Sequence, residues 1–128
     1  MALLDRIDIH ITMPPVPAEK LLARGSGEAA EAVQARIQKA WGIQKARFSG
    51  ASICWNAEMP PGMVFRYCKL GEGAELMKAA LRQLRFTARR YFASLRIART
   101  VADLDGEMSI QVHHLAEAIQ YRRETVWG

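Results

Sequence analysis

The stretch Thr87-Ala88-Arg89-Arg90-Tyr91-Phe92-Ala93-Ser94-Leu95-Arg96-Ile97-Ala98-Arg99-Thr100-Val101-Ala102-Asp103-Leu104 decides the fold of this chain. Ala88, Tyr91, Phe92, Leu95, Ala98 and Ala102 recur at three- and four-residue steps, the repeat of one face of an α-helix. Thr87 is a residue type that caps helix N-termini, because its hydroxyl accepts an otherwise orphaned N–H of the first turn. Asp105-Gly106 supplies the stop. The stretch therefore predicts one long amphipathic helix that needs partners on its apolar side.

Partners are found on both flanks. Downstream, Ile110, Val112, Leu115, Ala116 and Ile119 mark a last helix running to about Arg123. Upstream, after Gly71-Glu72-Gly73, the stripe Met77, Ala80, Leu81 and Leu84 faces inward while Lys78, Arg82 and Arg85 face outward. Pro60-Pro61 opens a short helix through about Cys68, proline being tolerated where the N–H would lack a partner anyway. Before it, residues 49–59 lose the period and predict a loop that carries Cys54 and Trp55 toward the core. Ala30, Val33, Ile37, Ala40, Trp41, Gln44 and Phe48 predict a further helix between about Gly27 and Phe48, with Ser26 as its N-cap and Gly42 as a weak point.

The first residues read differently. From Arg6 to Met13, Ile7, Ile9 and Ile11 alternate with Asp8, His10 and Thr12, the period of a strand with one buried face, and Met13-Pro14-Pro15 stops it. No second strand is evident, and a lone strand has nothing to pair with, so it predicts a frayed element whose sheet lies elsewhere. Pro14, Pro15 and Pro17 predict an extended linker. The expected fold is mainly α: a compact bundle of four main helices plus one short helix over residues 25–128, preceded by an extended or disordered segment at 1–24.

Composition sets the outer limits. With 128 residues, 50% of them hydrophobic and 24% charged, the chain suits one globular domain. The formal net charge of +5 indicates mild attraction to polyanions without naming one. Two cysteines outside any CxxC pattern suit a reduced cytoplasm and no metal, and no apolar run approaches the roughly 20 residues that cross a bilayer. His113 and His114, about 100° apart on a helix, read as surface histidines and not as a metal pair. Cys54 and Cys68 read as small buried hydrophobes. Arg99 and Asp103 read as an i,i+4 pair on a solvated face.

Between Arg66 and Arg99 the acidic residues are Glu72, Glu75 and no other. A polar outer face explains that charge. So does a contact surface for a phosphate backbone built from Lys78, Arg82, Arg85, Arg90 and Arg96, and a free-standing, small, basic nucleic-acid-binding protein is the alternative reading of the chain. Tyr91 and Phe92 fall on the apolar stripe, which argues against base stacking. There is no GxxxxGK[ST] phosphate loop and no apolar strand ending in paired acids, so the chain is not expected to hydrolyse ATP by itself.

Four stretches, in order, resemble the C-terminal part of the magnesium-chelatase-like AAA+ ATPases, closest to their competence-protein ComM group. They are Leu3-Leu4-Asp5-Arg6-Ile7-Asp8-Ile9-His10; Asn56-Ala57-Glu58 with Arg66-Tyr67-Cys68-Lys69-Leu70; the run from Thr87 to Leu104; and His114 to Arg123. The resemblance implies a helical AAA+ lid, with the first segment a remnant of the last core strand and Met1-Ala2 the start of a fragment. It implies that Arg6 is an arginine finger acting on a neighbouring subunit, where a rigid fork of donors stabilises charge developing on a transferred phosphoryl group. Without the family, Asp5 and Arg6 simply flank a strand at the surface. It implies that Arg89 is the sensor 2 arginine, held beside the positive end of a capped helix. ATP and magnesium would be cofactors of the intact parent. Its partners would be the core domain and the neighbouring subunits of a hexameric ring, with DNA reached through the parent and no membrane. Val112, where relatives often carry proline, and Arg90, where they often carry a small residue, depart from the family pattern.

Overall fold

The computed structural model describes residues 6–23 and 27–123, with side chains through Tyr121. The described residues are mainly helical, with no strand among them, in the order α1 (Ala18–Leu22), α2 (Ala30–Arg47), α3 (Pro61–Tyr67), α4 (Ala74–Gln83), α5 (Ala88–Leu104) and α6 (Val112–Arg123). Single 3-10 turns at Asn56–Glu58 and Gly71–Gly73 precede α3 and α4. The four main helices and the short α3 are those the periodicity predicts. The additional element is α1, five residues inside the expected linker, with Pro17 in the capping position and no buried residue.

The sequence of α5 makes it the hub. Thr87 is extended (φ −72°, ψ 165°) and its Oγ1 accepts from the Arg90 amide at 3.2 Å, so the cap forms as its residue type predicts. Ala93, Ala98 and Ala102 are buried together with Leu95 and Ile97, and these small residues let neighbours approach the helix from several sides. α6 returns along α5, while α2, α3 and the Asn56–Glu58 turn also pack on it. α4 reaches the bundle through α6. Leu95, Leu115, Val64 and Met59 are at most 1% exposed and form the centre of the core with Phe48, Cys68 and Met77. Each such side chain stabilises the fold by about 1.5–3 kcal/mol relative to leaving it exposed.

Three local expectations need correction. Residues 49–59 carry Asn56 and Met59 inward, while Cys54 is exposed and Trp55 only half-buried. α2 begins at Ala30 with Ala29 in the capping position and no side-chain cap, and Ser26 lies outside the described residues. Its predicted apolar face is mostly open: Ala40 and Gln44 are its buried residues, whereas Trp41 is 52% exposed and residues 30–39 include no buried one.

The N-terminal segment does not keep its alternation: between Arg6 and Met13, His10 is buried and the other residues, Asp8 and Thr12 included, are exposed. His10 is 7% exposed; its backbone N–H donates to the Tyr121 carbonyl at 3.1 Å, and its Nε2 lies 2.7 Å from the Ile7 carbonyl. Ile7, Ile9 and Ile11 are 45%, 47% and 61% exposed. The face that a sheet would bury thus looks outward. None of the described helices is long and apolar enough to cross a membrane.

Candidate functional site

Arg89 is exposed at the second position of α5. The Thr87 hydroxyl takes up the Arg90 amide, and the Tyr91 amide donates to the Thr87 carbonyl at 2.9 Å, so the first turn is fixed while the guanidinium stays in solvent. Helical peptide dipoles put partial positive charge at this end, and the always-protonated guanidinium adds to it. Beside the turn, an open cavity of about 340 Å³ is lined by Thr87, Ala88, Tyr91, Met77, Lys78 and Leu81, among others. Chemically, this end of α5 can receive an anion.

Arg6 is exposed on the N-terminal segment, which is tied to α6 through His10 and Tyr121, whereas Arg89 opens α5. Of the basic residues suggested for nucleic acid, Lys78, Arg82 and Arg85 are exposed. Lys78 pairs with Glu75 at 3.3 Å. Arg90 and Arg96 are partly buried, and Arg96 donates from Nε to the Met59 carbonyl at 3.0 Å. Arg85 has φ 50°, a left-handed conformation at the exit of α4.

What the structure does gather is a buried polar network that sequence reasoning missed. Asp103 is 1% exposed. Arg47 donates to it from both terminal nitrogens, at 2.8 and 2.7 Å. Asn56 gives Nδ2 to Asp103 Oδ2 at 2.8 Å and to Thr100 Oγ1 at 3.1 Å, and its Oδ1 accepts from Arg47 at 2.9 Å. Its own amide donates to Gln44 Oε1 at 2.8 Å. The solvated-face reading of Arg99 and Asp103 is therefore overturned. Arg99 is 4% exposed, lies 3.3 Å from Asp103, and donates to the Glu107 and Met108 carbonyls at 2.8 and 2.9 Å. Burial pulls the Arg99 guanidinium below its ordinary value, with the Asp103 carboxylate opposing that shift.

His113 is exposed, as a surface histidine should be, whereas His114 departs from that reading. His114 is 1% exposed, and its Nδ1 accepts from the Gln111 amide at 2.9 Å, doing for α6 what a glutamine three residues past the cap does in a capping box. Its Nε2 then carries the proton and donates to Asp105 Oδ2 at 2.8 Å, holding that carboxyl below the usual range; exposed His113 adds to this at 3.4 Å. The three side chains lie close enough for a metal ion. The donor set fits one poorly, because a His114 Nε2 that ligates must move its proton to Nδ1, which faces an N–H. The signal for this cap is the glutamine-to-histidine spacing at the start of α6.

The family described as "Magnesium chelatase, subunit ChlI C-terminal" matches residues 27–122, which takes in α2 through nearly all of α6. Competence protein ComM of Haemophilus influenzae is 36% identical over 121 residues, covering 93% of this chain and 23% of that protein. The YifB proteins of Escherichia coli and Salmonella typhimurium are each 31% identical over comparable lengths, with the same coverage. The chain thus spans about a quarter of the length of these relatives. With three quarters of the sequence matched by that family, the chain belongs to the magnesium chelatase, subunit ChlI C-terminal family.

Proposed function

We propose that this chain is the helical lid of a AAA+ ATPase and that Arg89 is its sensor 2 residue, reaching the triphosphate of Mg-ATP bound by a core domain elsewhere in the parent. The observation that carries this reading is the exposed guanidinium of Arg89 in the first turn of a side-chain-capped helix. A cation presented there without burial is matched to a polyanion supplied from outside the bundle. The phosphate loop and the metal-binding acids belong to the remainder of the parent, so the lid contributes binding and motion and does not hydrolyse ATP itself.

The N-terminal segment supports attachment to a core. Three isoleucines on one side of an extended stretch face solvent, the arrangement expected of a strand whose sheet partners lie outside this chain. Arg6, exposed at the beginning of that stretch, then acts as the arginine finger toward a neighbouring subunit of a hexameric ring. In this reading the parent is a DNA-processing motor of the cytoplasm, a class to which a relative named as a competence protein is suited.

The test is Arg89→Ala in the full-length parent. ATP turnover should fall about 100-fold, the scale for losing one stabilising donor at a phosphoryl-transfer site. Unchanged turnover would remove the assignment. A second reading, a basic nucleic-acid-binding protein, is favoured by the exposure of Lys78, Arg82, Arg85 and Arg89. It requires duplex DNA to bind the isolated chain at micromolar concentration or tighter and at moderate salt, with affinity falling steeply as salt rises.

A further inference from the structure

We infer that the chain has a second anion site, separate from Arg89: the cleft between α2, α3 and the loop joining α5 to α6, which takes a phosphate group from a nucleotide or from a nucleic-acid backbone. The cleft has a volume of about 500 Å³, within the range of small-molecule sites. Arg47, Arg66, Lys69 and Arg99 line it against a single carboxylate, Glu107. Ser109 adds a hydroxyl to its wall.

Charge balance behind the cleft points the same way. Arg47 and Arg99 are both largely withdrawn from water and share one buried carboxylate, Asp103. Two guanidinium groups against one carboxylate leave positive charge in a region of reduced dielectric, where it is felt more strongly than at an open surface. Arg99 uses its terminal nitrogens on two loop carbonyls, and its Nε, sealed from solvent, finds no partner among the described residues. At the mouth, Arg66 and Lys69 are exposed, and Arg66 lies over the Tyr67 ring at 5.2 Å. Lys39 adds a further ammonium close to Gly106. A phosphate entering here meets exposed cations first and an undercompensated guanidinium pair behind them.

Arg99 follows Arg89 by ten residues on α5, about 15 Å along the helix axis, so one phosphate group cannot serve both. The double variant Arg66→Gln/Lys69→Gln changes exposed residues and should leave the thermal midpoint of the chain in place. Inorganic pyrophosphate, ATP and a short DNA duplex are each titrated into the 128-residue chain and followed by amide NMR shifts. Saturable shifts confined to residues 66–69 and 106–110 are expected. At least one probe should weaken about tenfold or more in the double variant and be unaffected by Arg89→Ala. Tighter binding of ATP than of duplex assigns the phosphate to a nucleotide, and the reverse assigns it to a nucleic-acid backbone. Shifts that do not saturate, shifts spread over all the basic residues, or equal affinity in the double variant would overturn the proposal. Loss of binding on Arg89→Ala alone would also overturn it, while leaving the sensor reading of Arg89 intact.

Discussion

Arg47 and Asp103, 56 residues apart in the chain, meet in a two-pronged ion pair that ties the end of α2 to the end of α5. Asp103 also receives Asn56 and lies beside Arg99, so one carboxylate organises three elements. Replacing it by asparagine keeps the volume and removes the charge. Two buried guanidinium groups then lose their counter-charge, and Asp103→Asn should cost about 3–5 kcal/mol in urea unfolding. A loss under about 1 kcal/mol would mean that water reaches the network and that the pair is dispensable.

The two thiols should differ sharply in reactivity. Cys54 is exposed, while Cys68 is 4% exposed and burial pushes its thiol up to about 11. Thiolate is the reactive form, so at pH 8 a disulfide reagent should modify one thiol per chain promptly and the second only after denaturant is added. The raised value also has a sign. Stability is untouched while both states hold the neutral thiol, and it falls as the pH climbs from about 9, where the unfolded thiol ionises, towards about 11 in the folded state. Cys68→Ala should flatten that alkaline loss, measured as the urea midpoint against pH.

His114 is expected to tolerate glutamine and not alanine. Glutamine can still accept the Gln111 amide in capping-box fashion, whereas alanine removes the acceptor and leaves a gap in a fully buried site. The alanine variant should lose about 2 kcal/mol or more of folding stability, and the glutamine variant appreciably less. Asp105 supplies the pH dependence. Its folded value is depressed, so its contribution is present above the usual carboxylate value near 4 and is lost as the pH falls through the lower folded value. Asp105→Asn should therefore reduce the acid-side pH dependence of stability, read from unfolding curves between about pH 2 and pH 5.

Arg85 occupies a left-handed conformation just past the end of α4, with φ 50°. Side chains other than glycine resist this region because Cβ crowds the backbone, at a cost of about 1–2 kcal/mol. Part of that gain returns to the unfolded chain when glycine frees it. Arg85→Gly should therefore stabilise the fold by roughly 0.5–1 kcal/mol, seen as a higher thermal midpoint, and a lower midpoint would show that the Arg85 side chain contributes more than its backbone costs.

The helices were readable because their causes are local. Thr87, the apolar step from Tyr91 to Ala102 and Asp105-Gly106 lie within one stretch and state both ends of α5. The position of Arg89 in the first turn followed from the same cap. The network around Asp103 was not readable, because an Arg-to-Asp spacing of four looks the same on a wet face as inside a core. What separates the two is Arg47, contributed from far upstream through the fold. Asn56 stood in a recognisable motif, but its role depends on Gln44, Thr100 and Asp103 converging on it. His114 is hidden for a different reason. The angle between adjacent histidines speaks to metal binding and says nothing of the acceptor that the start of α6 needs.

Among the described residues, α2 is anchored at its C-terminal end. Gln44, Arg47 and the Phe48 that follows hold its final turns to the bundle, while residues 30–39 carry no buried side chain and are braced by the exposed fork between Glu28 and Arg36. Ten helical residues extend about 15 Å, so a tilt of about 10° at the root sweeps the tip by about 3 Å. A modest rotation where Arg47 grips Asp103 would thus be magnified at the far end of α2 into a displacement as large as a hydrogen bond is long.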